Sequence, residues 1–506
     1  MKNLISFISF SMAMAISFAG EFSLVSKNQN MKTVKFVSSE IEFNEKDGYT
    51  RLTKPELGST VENGMPELPT YSTFFHMDAG ISYTVDYAVI SSHTVEDVDI
   101  YPYQGEPVIG VDKPFLKNVD YYNSNLVYPE NNLTVSEPMT MRDIEVGLIS
   151  FIPFEYNPSE RELIIYDDVE FTITESGERA INTNIPEKRS KIFEPFYEDL
   201  IADYEPLSSR DEYQAATIMY ICGGTSHTLP SVQELVEWRK KQGYIVYLVP
   251  SSSLPGVSST SIKNFLIDVY TGANTDYENI PEIVGLIGDT GGSFSLGHHT
   301  YSYSGYSGAT DFPLSDCIGN DFLPEYFVGR ISVNSSSDIN NVINKALTYE
   351  KAEDQEDWWY ERAALVGDPS SSGISTITTM QYIENIMENY GMDDIRTNYN
   401  HECTGSLTSN CGSYGSWVND QFSNSASNTQ GGVLYYNYRG WYGGSSITSN
   451  NTNSGKYAPF SVTVTCGTGD FNGTSDSEDF FREGSESSPK GAVACVGVST
   501  TGTHTM

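Results

Sequence analysis

The sequence predicts a β-rich domain followed by an α/β domain with largely parallel sheets, and three observations carry that expectation. From about residue 21 to 205, short alternating runs such as Tyr83–Ile90 and Glu162–Tyr166 are separated by Gly, Pro, Asn and Asp, the pattern of a sandwich or barrel. From Ala215 the pattern becomes strand, helix, strand with glycine punctuation. After Arg362 the same pattern repeats, so the α/β part reads as two side-by-side units.

A chain of 506 residues is too long for one hydrophobic core, and its 39% hydrophobic and 19% charged residues describe a folded protein. The organisation expected is a segment 1–20, a β-rich domain over 21–205, a first α/β subdomain over 206–353 and a second over 354–506. The first segment has the make-up of a secretory signal peptide: basic Lys2, an apolar stretch from Leu4 to Phe18, then the small pair Ala19–Gly20. No later stretch offers the roughly 18 unbroken apolar residues of a membrane span, which argues against direct membrane insertion. The β-rich block closes in Ile185–Lys191, where Lys188–Arg189 offers a processing site, and Arg210 offers a second.

A net charge of −38 argues against nucleic acid, whose phosphates require Lys and Arg. It argues equally against an anionic membrane surface, and fits a solvated acidic exterior on an exported protein. No segment has the Asp-x-Asp-x-Asp-Gly spacing of a calcium loop. No cofactor is required by any motif, and a structural calcium ion is the one metal the acidic excess leaves open. The six cysteines contain no CxxC pair and the seven histidines are scattered, which argues against zinc. Cys403 and Cys411 flank a Gly/Ser/Thr-rich loop and are placed for a local disulfide, whereas Cys222 and Cys495 sit in apolar runs and read as core thiols.

In the α/β part the predicted strands are Thr217–Cys222, Tyr244–Val249, Ile283–Gly288, Ala363–Val366, Gly432–Tyr436, Phe460–Thr465 and Ala492–Val496. Predicted helices cover the stretch from Val232 to Gly243, Thr260 to Thr271 and Met380 to Tyr390. Chemistry in such sheets gathers at the carboxyl ends of strands. There Cys466 stands directly after Phe460–Thr465, followed by Gly467-Thr-Gly-Asp470 and a helix start with Ser475 as cap and Glu478 three residues on. A thiol at a strand tip before a helix N-terminus is in the setting that activates cysteine; a buried strand-end cysteine is the plainer reading.

The segment Pro459–Phe471, with its Pro-Phe strand leading into Cys-x-x-Gly-Asp-Phe, resembles the nucleophile segment of gingipain-type cysteine peptidases. The likeness continues in Phe312–Asp316, Gly319–Asp321 and Val328–Val333, and, in the first domain, in Gly64–Pro69, Phe154–Pro158 and Leu163–Tyr166. It runs in order over nearly the whole chain past residue 20. The resemblance implies a caspase-like catalytic fold, a Cys-His dyad, an oxyanion hole of backbone amides and a β-rich propeptide acting as intramolecular inhibitor until it is removed. It also implies protein or peptide substrates and an extracellular or cell-surface location in a bacterium.

One position departs from the family pattern. Its catalytic histidine lies in a Tyr-x-Gly-His-Gly segment; here the stretch is Asn437-Tyr-Arg-Gly-Trp-Tyr-Gly-Gly444, with Trp441 at the histidine position. An indole cannot take up a proton. No histidine occurs between His401 and His504. His504, in the hydroxyl-rich stretch after the last predicted strand, is the first candidate base, and His299, after the strand ending at Asp289, is the second. His76 and His93 fall in the propeptide, His227 in a Gly/Ser/Thr loop, His298 beside His299 and His401 before the candidate disulfide.

Gly440 and the Cys466 amide are the candidate oxyanion donors, and Trp441, Arg439, Gly467 and Asp470 the residues lining the site. Arg439 there suits a carboxylate or thiolate partner, and Arg330 and Asp321 are expected to pair. Two functions follow. One is a cysteine endopeptidase made as a zymogen, working through a thioester. The other is a pseudo-peptidase of the same fold that binds at the cell surface, favoured by Trp441.

Overall fold

In the computed structural model, the alternating stretches of the first domain become two antiparallel sheets. The structure describes residues 21–28, 30–54, 57–105, 114–182, 184–303, 306–319, 321–352, 355–369, 374–399, 414–423, 431–440 and 455–500. One sheet orders Phe22–Asn28, Met31–Val37, Glu162–Glu178 and Phe154–Asn157, with Ile81–Val95 also along Glu162–Glu178. The other orders Gly58–Ser59, Pro69–Met77, Ile144–Phe151 and Leu133–Val135, with Met139–Met141 also on Ile144–Phe151. Pro69–Met77 alternates strictly between buried and half-buried positions, as period-two geometry demands of a strand with one face on a core. Phe151 of the second sheet meets Phe36 and Phe171 of the first at 5.6 and 4.9 Å between ring centres, both edge-on, which makes the pair of sheets a sandwich.

This unit extends to Gln214 and takes in a distant stretch, Ile318–Glu325. Asp321 ties that stretch down by accepting the Thr140 amide at 2.8 Å and the Leu323 amide at 3.0 Å, and buried Arg142 donates to the Glu325 carbonyl at 2.7 Å.

The second unit holds Ala215–Cys317 and the residues from Tyr326 onward. Its first sheet has four parallel strands in the order Ile245–Pro250, Thr217–Cys222, Ile283–Ile287 and Phe327–Ile331. Its second has five parallel strands in the order Asp394–Tyr399, Arg362–Gly367, Tyr435–Arg439, Phe460–Val464 and Ala494–Gly497. Thr217–Cys222 and Arg362–Gly367 are buried at every position, the signature of inner strands covered on both faces. These are the two parallel-sheet subdomains of a caspase-like domain preceded by an all-β domain.

The two sheets are joined through helices Ser336–Lys351 and Asp476–Arg482. Buried Asn341 donates to the Arg482 and Glu483 carbonyls at 2.8 and 2.9 Å. Lys345 donates to the carbonyls of Lys490, at 2.8 Å, and Phe481, and burial pulls its ammonium down to about 8. Arg482 reaches Asp289 at 2.8 Å, Glu478 at 2.8 Å and the Ser332 hydroxyl at 3.0 Å, and Ser332 in turn donates to Glu478.

Several expectations are corrected. The strand expected at Gly432–Tyr436 is Tyr435–Arg439; Val433 and Leu434 are buried before the ladder begins, so the apolar run marks burial and not pairing. His299, placed by the sequence only after the strand ending at Asp289, opens a hairpin of His299–Tyr303 with Tyr306–Thr310, formed by antiparallel pairing. Arg330 does not pair with Asp321; its guanidinium forks onto both carboxylate oxygens of Asp311 at 2.7 and 2.8 Å. Helix Ser336–Lys351 and edge strand Asp394–Tyr399 are additions to the predicted elements. Residues 1–20, and with them the expected signal peptide, lie outside the described residues. Among the described residues no helix is long and apolar enough to cross a membrane, which does not bear on β-barrels.

Removing one member of a buried ion network strands the others. Arg482→Met is therefore expected to cost about 3–5 kcal/mol in unfolding free energy, read as a lowered denaturant midpoint at unchanged slope. An unchanged midpoint would mean that the network contributes nothing.

Candidate active site

Cys466 leaves the sheet one residue past Thr465, at the carboxyl end of Phe460–Val464. Its strand lies between Tyr435–Arg439 and Ala494–Gly497, in parallel with both, with Arg439 level with Val464 and Gly497 level with Thr463. The last predicted strand therefore lies beside the cysteine strand.

The turn after Cys466 is built for a sharp exit. Gly467 sits at φ +69°, where a side chain would be strained, and its amide donates to the Thr500 carbonyl at 3.0 Å. Gly469 donates to the Val498 carbonyl at 2.9 Å. A Cβ on Gly469 would lie 2.6 Å from the Gly497 backbone, so only glycine lets these two chains touch. Thr468 turns its hydroxyl back to the Thr463 and Thr465 carbonyls at 3.1 and 2.9 Å, and accepts the Ser477 amide on its own carbonyl at 2.9 Å. The helix Asp476–Arg482 begins with the anticipated box: Ser475 accepts from the Glu478 amide, and Glu478 accepts from the Ser475 amide.

Arg439 is buried at the tip of the neighbouring strand and donates to the Val464 carbonyl at 3.4 Å. Burial pulls its guanidinium below the ordinary arginine value, and the adjacent Cys466 sulfur acts in the opposite direction. Asp368, at the end of Arg362–Gly367, is a buried carboxylate the sequence reading passed over. Its amide donates to the Arg439 carbonyl at 2.9 Å, and it accepts from the Tyr438 hydroxyl at 3.0 Å. A Cβ on Gly440 would lie 2.6 Å from the Tyr438 hydroxyl and 2.7 Å from the Asp368 Cβ, so a side chain there would clash. The sequence clue was a Gly-Asp pair closing an apolar strand.

His299 is half-buried, and its Nε2 has no hydrogen-bond partner among the described residues. Burial first, then Lys263, push its imidazole below the ordinary value; Asp311 opposes them and His298 adds to them. The ring of His298 stands edge-on to Phe471, with centres 5.9 Å apart. Trp441, His504, Cys403 and Cys411 lie outside the described residues. Among the described residues no group of three or more His, Cys, Asp or Glu side chains is placed to hold a metal ion.

The model of peptidase family C25 matches residues 211–506 and that of the C25 propeptide matches residues 21–210. The chain belongs to peptidase family C25. It is similar to gingipain R2 of Porphyromonas gingivalis strain W83, with 24% identity over 506 aligned residues, 94% of this chain and 64% of the relative. It is similar to Lys-gingipain of P. gingivalis strain ATCC 33277, with 23% identity over 346 residues, 64% of this chain and 19% of that relative. The chain thus spans less than two thirds of the length of these curated relatives. Among solved structures, the Arg-specific cysteine proteinase gingipain R (RGPB) matches at 21% identity over 58% of this chain and 64% of that one, TM-score 0.46. The complex of P. gingivalis RgpB pro- and mature domains matches at 25% identity over 37% of this chain and 99% of that one, TM-score 0.31.

Burial pushes the thiols of Cys222 and Cys495 up to about 12, and Cys317 is buried. Cys466 is half-buried at a strand tip. A soluble alkylating reagent at neutral pH should therefore modify Cys466 before Cys222 and Cys317, as mapped by peptide mass spectrometry of the folded protein. Equal rates at Cys466 and Cys222 would contradict the burial described here.

Proposed function

We propose that the chain is an exported cysteine-type endopeptidase, made as a zymogen, in which Cys466 is the nucleophile. The observation that carries this reading is a half-buried thiol at the carboxyl end of a parallel strand, within the stretch matched by the peptidase family model. The thiolate attacks the scissile carbonyl carbon and forms a tetrahedral oxyanion. The amine leaves with a proton from a general acid, and water releases the thioester as carboxylate and thiol. The Cys466 amide and the backbone at Gly440 are the proposed oxyanion donors. The Gly467 amide is already committed to Thr500.

His504 is the proposed general acid and base. In support, the strand that leads to it runs beside the cysteine strand in the same direction, so both chains leave the sheet at one end. His299 is the alternative, supported by its unpartnered Nε2. A substrate-like thiol probe applied to processed protein should label Cys466 and nothing in Cys466→Ala, which should keep its fold and lose turnover by at least about 10³-fold. A folded protein with neither labelling nor turnover would move the weight to a binding protein that keeps Trp441 in place of the dyad histidine.

The β-rich domain is proposed as an intramolecular inhibitor that is removed by cleavage. Of the two candidate sites, Arg210 sits in an exposed single turn, Arg210–Glu212. Arg189 is held on both sides: its amide donates to the Glu212 carbonyl at 3.1 Å and its carbonyl accepts from Gln214 at 2.9 Å. Exposure favours the Arg210 site, so N-terminal sequencing of processed protein is expected to begin at Asp211. A start at Ser190 would reverse that choice.

A further inference from the structure

The loop after Cys466 has glycine at 467 and 469, and so little stiffness of its own. Its inner side is fixed by the neighbouring strand, through the Thr500 and Val498 carbonyls. Its outer end is fixed by the other sheet's subdomain. Asp470 accepts the Ala309 amide at 3.1 Å, and Thr290 donates its hydroxyl to the Phe471 carbonyl at 3.0 Å. The Phe471 ring has the Arg330 guanidinium 5.2 Å from its centre and the His298 ring at 5.9 Å. Gly308 lies so close to the chain at Ser499 that a Cβ would come within 2.5 Å of its carbonyl.

These contacts converge on one hairpin. Ala309 is paired with Thr300 within it, yet its amide points outward, to Asp470. Ala309 is buried, so without Asp470 that N–H would lose its partner away from water. The dependence is mutual: the carboxylate satisfies the hairpin edge, and the edge pins the glycine-flanked loop four residues from the thiol.

We propose that the hairpin His299–Tyr303/Tyr306–Thr310 is a working part of the active site, and that Asp470 is the positioning residue through which it sets the Cys466 loop. The proposal rests on Cys466 being the nucleophile, and it is tested by a measurement that does not require turnover. Full-length wild type, Asp470→Ala and Asp470→Asn are compared by the rate of Cys466 alkylation with iodoacetamide at one pH, by kcat and KM on a peptide substrate, and by thermal melting.

Asparagine keeps the Oδ1 acceptor and alanine does not. Asp470→Ala is expected to change the Cys466 alkylation rate at least about 5-fold and to lower kcat by about 10–100-fold with KM within about 3-fold, since a misplaced nucleophile costs rate more than binding. Asp470→Asn should restore both to within about 3-fold of wild type. Wild-type alkylation in Asp470→Ala, or equal impairment in Asp470→Asn, would overturn the proposal. If wild type turns nothing over, the endopeptidase reading fails and the alkylation comparison still decides this one. If Asp470→Ala does not fold, Ala309→Pro removes the same hydrogen bond from the hairpin side, at an edge where proline is tolerated. It should change the alkylation rate as Asp470→Ala would, and an unchanged rate would overturn the proposal.

Discussion

The guanidinium of Arg482 is one of the groups that join the two sheets of the α/β unit, and it ties the helix Asp476–Arg482 to the first sheet. It lies between the carboxylates of Asp289 and Glu478 and against the Ser332 hydroxyl and carbonyl, all screened from solvent. Taking such charges out of water is costly, and only near-complete hydrogen bonding offsets the loss. That condition is met here. Glu478 spends its second oxygen on the Ser475 amide and hydroxyl, and Asp289 spends its own on the Thr290 amide. The helix Asp476–Arg482 has seven residues, too few to stand alone, so this network and its capping box give it a fixed place. Because Ser477 on that helix donates to the Thr468 carbonyl, fixing the helix fixes the turn that follows Cys466.

What could be read in the sequence was what is written locally. Alternating runs gave away parts of Ile81–Val95 and Glu162–Glu178, unbroken apolar runs gave away Thr217–Cys222 and Ile283–Ile287, and three-residue spacing gave away the Ser475–Glu478 box. That the last predicted strand lies beside the cysteine strand follows from the handedness of parallel crossovers. The joining contacts have no local signature. Arg482 and Asp289 are 193 positions apart, and Asp470 and Ala309 are 161 apart. Arg330 had carboxylates at both Asp311 and Asp321 within twenty positions, and nothing in composition tells which one the fold delivers. The hairpin was hidden because Gly, Ser and Tyr also fill loops; pairing across it, and not its composition, makes it a strand pair.

Several cations are buried in this acidic chain, among them Arg142, Lys345 and Arg439. In a chain of net charge −38, Arg439 is buried against the tip of the cysteine strand. Burial works against keeping that cation, and the neighbouring sulfur is among the groups that favour it. A cation held inside at this point is the kind of feature that stability alone does not call for, because a hydrophobic side chain would fill the same place at less cost.

The same arrangement narrows where a proton acceptor can stand. Cys466 has a strand on either side. The one carrying Tyr438 and Arg439 brings a guanidinium, which stays protonated and accepts nothing. The strand Ala494–Gly497, on the other side, contributes carbonyls of the following residues to the Cys466 turn and continues toward the sequence position of His504. From across the turn the hairpin brings two imidazoles, and they differ in use. His298 is engaged edge-on with Phe471, whereas His299 keeps an unpartnered Nε2 and is pushed by burial and Lys263 toward the neutral ring. Neutral imidazole is the form that takes a proton from a thiol, and for the proposed peptidase both candidate acceptors, His299 and His504, belong to elements other than the Tyr435–Arg439 strand.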